Sequence, residues 1–321
     1  MKYILLLLVI TLLGCSSNKK QEMTSKLKIP VINLSKNVSS VPSLLLSEVA
    51  EKLEIVPLEM TDESVLSDIT EMQVTDHNIW IDHGREFYIY RFSRSGKFLN
   101  KIGSIGQGPG EYTTYSTFLV DEDKKEVYII ANTNGVLAYD FEGNFKRKIV
   151  DIQTILQLFS SVYDQYILNN QKFFATQNFA LYRPIDKDSL WSFVSLGDDF
   201  QKKKYFKNPA HVGKEELIIA NRANMDRMVN YWREYLTSMD TYNGQLTLKY
   251  PDTDTIYCYD DATNQLLPQY AIFTDEEKGD YEATHLWFKD RKSFDYFSIF
   301  SYYPTKDFVY LIGSKGEEVY T

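Results

Sequence analysis

A repeat with a period of 47 residues is the feature that most restricts the fold of this chain. The segments Tyr90–Ile102 (YRFSRSGKFLNKI) and Leu137–Ile149 (LAYDFEGNFKRKI) place a glycine, a phenylalanine, a lysine and an isoleucine at matching positions. Each copy predicts a strand, a turn that carries Gly96 or Gly143, and an outer strand. A period of about 40–50 residues built from short strands is typical of a β-propeller.

Short apolar alternations extend this pattern along the chain. They occupy 53–58, 69–74, 79–81, 87–92 and 98–102, each bounded by Gly, Asp, Asn or Ser. A weaker third copy of the repeat begins at Thr255–Asp260 and ends at Tyr270–Phe273. Such patterns predict antiparallel strands joined by tight turns. We therefore expect an all-β fold, a β-propeller of four-stranded antiparallel blades.

Chain length and strand grouping predict different numbers of blades. Residues 30–321 would hold about six units of this period, but the predicted strands group into five blades, at 50–103, 111–150, 155–207, 237–274 and 284–321. We expect the strand at 29–34 to pair into the last blade. The five-blade count predicts either a chain truncated at its C-terminus or an open ring with an exposed edge. Helical spacing of apolar residues predicts a helical insertion near 208–236.

The N-terminus predicts export. Residues 1–14 combine a positive start with an apolar run, Ile4–Leu13, that is shorter than the roughly 20 residues of a membrane-spanning helix. The following Cys15 completes a sequence that resembles a bacterial lipobox, which implies cleavage before Cys15 and lipidation of its thiol. An ordinary signal peptide with an incidental cysteine remains the alternative.

The expected domain organisation follows from this assignment. Residues 1–14 are the lipoprotein signal peptide, residues 15–28 are the lipidated cysteine and a flexible tether, and residues 29–321 are the propeller. The stretch Ser16–Lys20 lacks the acidic residues that often follow the cysteine in surface-exported lipoproteins of Bacteroidetes. We therefore expect an outer-membrane location that faces the periplasm rather than the cell surface.

Composition excludes some function classes. The net charge is −9 and the sequence pI is about 5.1, so a nucleic-acid partner is not expected. The two cysteines cannot form a disulfide framework. Once Cys15 is lipidated, Cys258 has no obvious partner and is predicted to be a small strand residue.

Three segments together resemble a known family. The segments are Ile55–Glu59 (IVPLE), Tyr90–Phe98 (YRFSRSGKF) and Gly106–Tyr112 (GQGPGEY), the last following directly on a predicted blade. This combination resembles the six-bladed β-propeller lipoproteins of Bacteroidetes, which are distant relatives of the NHL-repeat propellers. The resemblance covers about residues 29–321. It implies the fold, and it implies little chemistry.

The glycine-rich loop carries most of that family motif. Its residues are Gly103, Gly106, Gly108, Pro109, Gly110, Glu111 and Tyr112. A phosphate cradle would need a following Gly-Lys-Ser/Thr, which is absent, and Pro109 removes one N–H donor. We interpret the loop as a structural crossover between blades. A loop that contacts a ligand at the propeller face is the alternative.

No catalytic, cofactor or metal site is indicated by spacing. The histidines are His77, His83, His211 and His285, and no HxH, HExxH or CxxC pattern occurs. No catalytic residue is assigned, because 44 acidic residues give too many carboxylate pairs to test. Stacking on sugars at the propeller face is a hypothesis for four residues: Trp80, Trp191, Trp232 and Trp287.

These observations predict a lipid-anchored propeller of the cell envelope that binds an unspecified ligand, for example a glycan, or a protein partner, without catalysis. Its contact with the membrane is expected to be the N-terminal lipid. The alternative is a propeller enzyme, a lyase or hydrolase acting on glycans or peptides at the propeller face.

Overall fold

The computed structural model describes residues 29–34, 45, 47, 50–84, 86–158, 161–177, 191–201, 203–216, 219, 238–250, 253–273, 298–305, 308–315 and 318–320. Strands dominate these residues, and they form five sheets. The described part begins with a short strand, β1 (Val31–Asn33). Residues 1–28, and with them Cys15, lie outside it.

The first three sheets each contain four antiparallel strands in chain order. Sheet 1 contains β2 (Glu71–Val74), β3 (Asn78–Asp82), β4 (Ile89–Ser93) and β5 (Phe98–Ile102). Sheet 2 contains β6 (Tyr115–Asp121), β7 (Glu126–Ala131), β8 (Gly135–Asp140) and β9 (Phe145–Val150). Sheet 3 contains β10 (Ser161–Leu168), β11 (Gln171–Gln177), β12 (Trp191–Leu196) and β13 (Lys203–Lys207).

The remaining two sheets do not have four strands, since sheet 4 has five and sheet 5 has three among the described residues. Sheet 4 contains β14 (Ser238–Tyr242), β15 (Gln245–Lys249), β16 (Thr255–Asp260) and β17 (Gln265–Phe273), and β1 is added at its edge. Sheet 5 contains β18 (Ser298–Pro304), β19 (Val309–Lys315) and β20 (Glu318–Tyr320). The prediction of an all-β propeller with four-stranded antiparallel blades is therefore confirmed. Within the described residues, four blades are complete and sheet 5 has three strands.

The first strand pairs at a different place from the one predicted. It joins sheet 4, not the last blade, and runs parallel to β17 with Val31 opposite Ala271. The physical reason is that β17 leaves an open edge, while Ile32 and Leu34 pack on the apolar cluster between sheets 4 and 5. Covering an open edge in this way removes a row of unpaired backbone groups.

Two further boundaries differ from the sequence prediction. Residues 53–58 are extended but form no strand, and residues 152–158 form a helix, α1 (Ile152–Leu158), where a blade was expected from 155. Of the predicted insertion at 208–236, the structure describes a 3₁₀ turn at Pro209–His211 and helical residues at 215, 216 and 219. Most of the predicted helix lies outside the described residues. In the part of the chain that is described, no helix is both long enough and apolar enough to cross a bilayer.

The 47-residue repeat corresponds to the outer hairpins of sheets 1 and 2. Phe92 pairs with Phe98 in one hairpin, and Tyr139 pairs with Phe145 in the other. Both hairpins have an irregularity at the same repeat position, between 91 and 92 and between 138 and 139. The repeat therefore preserves the register and the bulge as well as the residue types.

Sheets 1 to 4 each bury both of their faces, since successive side chains of a strand point in opposite directions. Phe174 belongs to the apolar cluster between sheets 2 and 3, and the adjacent Phe173 belongs to the cluster between sheets 3 and 4. Trp80 and Phe118 lie in the cluster between sheets 1 and 2. Stacking of sheets is thus what forms the core.

The outer face of sheet 1 is covered by the extended segment 53–60. Val56 and Leu58 pack on the cluster that contains Tyr90 and Phe92. The backbone N–H of Glu59 donates to the carbonyl oxygen of Gly96 at 2.8 Å. Val56 and Leu58 therefore pack on a sheet without belonging to one, whereas Leu53 and Ile55 are exposed.

Candidate functional site: a polar cavity at the inner strands

A cavity of about 590 Å³ lies where the first strands of sheets 1, 2 and 3 meet. The first strands of successive sheets are neighbours, with β6 beside β10, β10 beside β14 and β14 beside β18. The polar residues that line the cavity and matter for its chemistry are Glu71, Gln73, Thr117, Asp164, Gln165 and Thr241. Its volume falls within the range of small-molecule sites, about 300–1,000 Å³.

Glu71 is the most highly connected of these side chains. Its Oε1 accepts a hydrogen bond from Gln73 Nε2 at 2.7 Å and a second from Gln165 Nε2. Its Oε2 accepts from the Thr117 hydroxyl at 3.0 Å. Burial raises the pKa of Glu71 to about 7, although the hydrogen bonds from Gln73 and Thr117 act in the opposite direction. At neutral pH this carboxyl exists in both protonation states.

Asp164 is a second carboxyl with the same property. Its Oδ1 accepts from the backbone N–H of Gln165 at 3.0 Å. Its pKa is raised to about 7, chiefly by burial and in smaller part by the nearby carboxyls of Asp240 and Glu71. Burial also raises the pKa of Asp240, in β14. Three inner strands therefore contribute carboxyls whose charged forms are disfavoured.

Tyr302 of β18, in sheet 5, lies near the carboxyls of Asp164 and Asp240. Its side chain is 1% exposed, and its hydroxyl has no hydrogen-bond partner among the described residues. The nearby Thr247 hydroxyl donates to the carbonyl oxygen of Asp240 at 3.2 Å. Burial raises the pKa of Tyr302 well above its usual value, and the charges of Asp240 and Asp164 add to this effect. The Tyr302 hydroxyl thus remains a donor at any physiological pH.

The lining residues of the cavity contain no lysine, arginine or histidine within the described part of the chain. Carboxyl, amide and hydroxyl groups supply its polar surface, and a carboxylate accepts hydrogen bonds only. The arrangement therefore suits a ligand that donates hydrogen bonds.

Sequence reasoning missed these carboxyls. Glu71 and Gln73 alternate with the apolar Met72 and Val74 in β2, so a signal existed in the 69–74 pattern. Asp164 interrupts a strand of mainly apolar and aromatic residues in a similar way. In this structure Glu71, Thr117, Asp164 and Asp240 are polar residues on the first strands of sheets 1 to 4.

The glycine-rich loop lies away from this cavity, between β5 and β6. Glu111 folds back over the loop, and its Oε2 accepts from the backbone N–H of Gly108 at 2.7 Å. A Cβ added to Gly106 would lie 2.1 Å from the same oxygen. The backbone N–H groups of Gly106 and Tyr112 bond to carbonyl oxygens within the loop at 3.0 Å.

The remaining motif residues pack at the ends of the loop. Tyr112 is fully buried and donates to the carbonyl oxygen of Phe87 at 2.7 Å. A Cβ at Gly103, where φ is +113°, would lie 2.0 Å from the Tyr112 hydroxyl. Gly110, preceded by Pro109, has φ +79°, and its carbonyl oxygen accepts from Tyr139.

The other candidate residues are not brought together. His83 is buried and bonds through Nε2 to the backbone N–H of Ser67 at 2.9 Å. His211 is buried in a 3₁₀ turn, while His285 lies outside the described residues. No group of three or more potential metal ligands occurs among the residues that the structure describes. Cys258 lies in β16 as a half-buried free thiol.

The hypothesis that tryptophans stack on sugars is wrong for the two that are described. Trp80 is fully buried and Trp191 is 5% exposed. Trp80 packs against Phe141 with ring centroids 4.7 Å apart, and Trp191 packs against Tyr205. Both rings fill the space between sheets. Trp232 and Trp287 lie outside the described residues.

Solved structures with a similar fold include proteins from Bacteroides. An exported protein of Bacteroides fragilis NCTC 9343, so named provisionally, matches with a TM-score of 0.59 and 17% identity, over 90% of this chain and 75% of that one. A member of the DUF4221 family from Bacteroides vulgatus matches with a TM-score of 0.48 and 12% identity, over 80% and 74%. At these identities the likeness concerns the fold alone. None of the curated proteins matches the sequence.

Family membership is more direct than these structural matches. A family profile described as "Domain of unknown function (DUF4934)" matches residues 29–321, a range that includes all five sheets and the cavity. The chain therefore belongs to the DUF4934 family.

Proposed function

We propose that this protein is a lipid-anchored propeller of the cell envelope that binds a small polar ligand in the cavity at its inner strands. The observation that carries the proposal is the cavity itself, about 590 Å³ with polar groups from four sheets converging on it. Pockets of this size with a few convergent polar groups are the usual sites of small-molecule binding.

The N-terminal sequence and the fold support the cellular part of the proposal. A signal sequence ending at Cys15 predicts a lipid anchor, and the similar structure from Bacteroides fragilis is of a protein named as exported. The polar stretch up to residue 28 would hold the propeller away from the bilayer. A periplasm-facing position on the outer membrane is part of this proposal.

The glycine-rich loop has a structural role in this proposal. The side chain of Glu111 occupies the space beside Gly106 and Gly108 that a phosphate group would need. The loop also connects sheets 1 and 2, and Tyr112 secures it to the backbone of Phe87. Ligand binding is therefore assigned to the cavity and not to the loop.

Native mass spectrometry of the full-length protein, extracted from its own envelope in mild detergent, tests the binding function. We expect a non-covalent small-molecule adduct that is lost in Thr241→Trp, because Thr241 is exposed and lines the cavity. Leu99→Trp places the same ring on the outermost strand of sheet 1 and should keep the adduct. An adduct that persists in Thr241→Trp, or no adduct at all, contradicts the proposal.

Catalysis by the same carboxyls is the second candidate function. Glu71 and Asp164 both have a pKa raised by burial to about 7, which is the range in which a carboxyl serves as a general acid or base. Incubation with peptidoglycan fragments, followed by mass spectrometry, distinguishes the two functions. Cleavage by the native protein and not by Asp164→Asn would favour the enzyme, and intact fragments would favour binding alone.

A further inference from the structure

Within the described part of the chain, the carboxyls around the cavity have no basic partner. Glu71, Asp164 and Asp240 come from β2, β10 and β14, and no described lysine, arginine or histidine lines the cavity or is among the main causes of their pKa shifts. The neighbouring acids instead make ionisation of Asp164 less favourable, because the carboxyls of Asp240 and Glu71 lie near it. Buried carboxylates are normally paired or bound to a cation.

The buried hydroxyl of Tyr302 lies beside two of these carboxyls, although Tyr302 is not among the residues that line the cavity. Its side chain is 1% exposed and lies among Asp164, Asp240 and Tyr166, yet its oxygen has no hydrogen bond in the described structure. Unsatisfied buried polar groups are rare in folded proteins. The Tyr302 hydroxyl therefore adds a neutral polar group, and no positive charge, beside Asp164 and Asp240.

The spacing of these groups favours an organic cation over a metal ion. No set of three described acidic, histidine or cysteine side chains is close enough to hold one ion. The carboxyls instead belong to different sheets around a cavity of about 590 Å³. An extended molecule with separated N–H groups can reach carboxyls that a single ion cannot bridge.

We propose that the cavity binds an extended organic cation whose ammonium or guanidinium N–H groups donate to Glu71 and Asp164. This inference rests on the proposed binding function and adds the class of ligand. Glu71 uses three acceptor positions for Gln73, Thr117 and Gln165, and a carboxylate offers about four. One position therefore remains for the ligand. Gln73 and Gln165 hold the carboxyl in place, since both bond to Oε1.

Binding of a cation should depend on pH near neutrality. The cation favours the charged carboxylates, whereas in the free protein burial raises the pKa of Glu71 and of Asp164 to about 7. Affinity should therefore rise from pH 6 to pH 8 while protons are released. The titratable groups that face these two carboxyls are Asp82 of β3, Tyr115 of β6, Tyr166 of β10, Asp240 of β14 and Tyr302 of β18.

Isothermal titration calorimetry with cadaverine tests the proposal, because both of its amines stay protonated from pH 6 to pH 8. We expect saturable binding that is about tenfold tighter at pH 8 than at pH 6. The neutral analogue of equal length, 1,5-pentanediol, should bind at least about tenfold more weakly, the loss expected when a charged donor is replaced. Equal binding of the diol, or no binding of cadaverine, overturns the assignment of a cationic ligand.

Two variants locate the binding site. Asp164→Asn should weaken cadaverine binding about tenfold while its amide oxygen still accepts from the Gln165 N–H. Thr241→Lys places a cation in the cavity from an exposed position, so it should abolish binding without disturbing the core. Glu63→Gln, an exposed acid outside the cavity, is the matched control and should bind as the native protein does. Unchanged binding in both cavity variants overturns the proposal.

The two proposals fail in different ways. A neutral glycan found as the co-purified adduct, and lost in Thr241→Trp, would contradict the cationic ligand and leave the binding function intact. An adduct that persists in Thr241→Trp would contradict the binding function at this cavity, whatever its charge.

Discussion

The Thr117 hydroxyl of sheet 2 donates a 3.0 Å hydrogen bond to the Glu71 carboxyl of sheet 1. The same carboxyl accepts from Gln165 of sheet 3, so one side chain links the first strands of three sheets. A protonatable group in this position connects the stability of the propeller to the chemistry of its cavity.

Replacement of Glu71 by Gln should change how stability depends on pH. The pKa of this carboxyl is 4.5 when unperturbed and is raised by burial to about 7 in the folded chain. Between these values the folded state binds more protons, so the carboxyl lowers stability progressively as pH rises from 4.5 to 7. The cost above pH 7 is on the order of 3 kcal/mol. Glu71→Gln should therefore gain in Tm relative to the native protein at pH 8 and gain little at pH 5.

Thermal unfolding at pH 5, 6, 7 and 8 measures this difference. The glutamine keeps the network, because its oxygen can accept from Gln73 and Gln165 while its amide donates to Thr117. Glu63→Gln is exposed and should follow the native protein at every pH. A constant difference between Glu71→Gln and the native protein would contradict the prediction.

The repeat glycines should tolerate alanine less well than a turn glycine of similar backbone conformation. A Cβ at Gly96 would lie 2.0 Å from the carbonyl oxygen of Pro57, and one at Gly143 would lie 2.7 Å from that of Lys101. Gly244 also has positive φ, +72°, but has nothing within 4 Å. Gly244→Ala should cost about 1–3 kcal/mol from backbone strain alone. Gly96→Ala and Gly143→Ala should cost more, since neighbouring backbone must move.

Urea unfolding of the three variants tests this prediction, because Gly244→Ala isolates the backbone contribution. Equal losses in all three would mean that the close approach of backbone at Gly96 and Gly143 does not matter.

The fold was predictable because its repeat reflects local geometry. A strand, a glycine turn and an outer strand recur at 47 residues, and the structure places both copies in outer hairpins with matching bulges. The pairing of β1 with β17 was not predictable, since a three-residue strand is compatible with any open edge. Helix α1 was missed because it is short and lies between strands.

The cavity was not predictable from spacing. Glu71 and Asp164 are 93 positions apart in the sequence, and they approach only because both occupy the first strands of blades. Their raised pKa values arise from burial, which no single strand reveals. The conspicuous glycines, in contrast, serve close backbone contacts such as that of Gly103 with Tyr112.

Ionisation of Glu126 should affect stability with a pH dependence opposite to that of Glu71. Its carboxylate accepts from Arg147 at 2.6 and 2.9 Å and from the Tyr128 hydroxyl at 3.0 Å. Burial opposes the charge, but these hydrogen bonds and the one from Lys146 lower its pKa to about 2. The unfolded value is 4.5, so the stabilisation is present above pH 4.5 and is lost as pH falls towards 2.

Glu126→Gln should therefore be less stable than the native protein at pH 7, and the difference should shrink below pH 4.5. Because the side chains of Arg147 and Lys146 are 49% and 41% exposed, solvent screening keeps the effect modest. Chemical unfolding at pH 7 and pH 3.5 measures it, with the exposed Glu142→Gln as the control. A difference that grows at pH 3.5 would contradict the assignment.

Cys15→Ser should detach the protein from the membrane. The proposed acyl chains on Cys15 would anchor the protein by burying methylene groups, at about 0.8 kcal/mol per CH₂. Without Cys15 these chains have no point of attachment, so this anchor is lost. The native chain, expressed in a bacterial host, should incorporate labelled palmitate and enter the detergent phase of Triton X-114. Cys15→Ser should do neither, while Cys258→Ser, altered at the half-buried thiol of β16, should behave as the native chain does. Palmitate incorporation that persists in Cys15→Ser, or is absent from the native chain, would contradict lipidation at this residue.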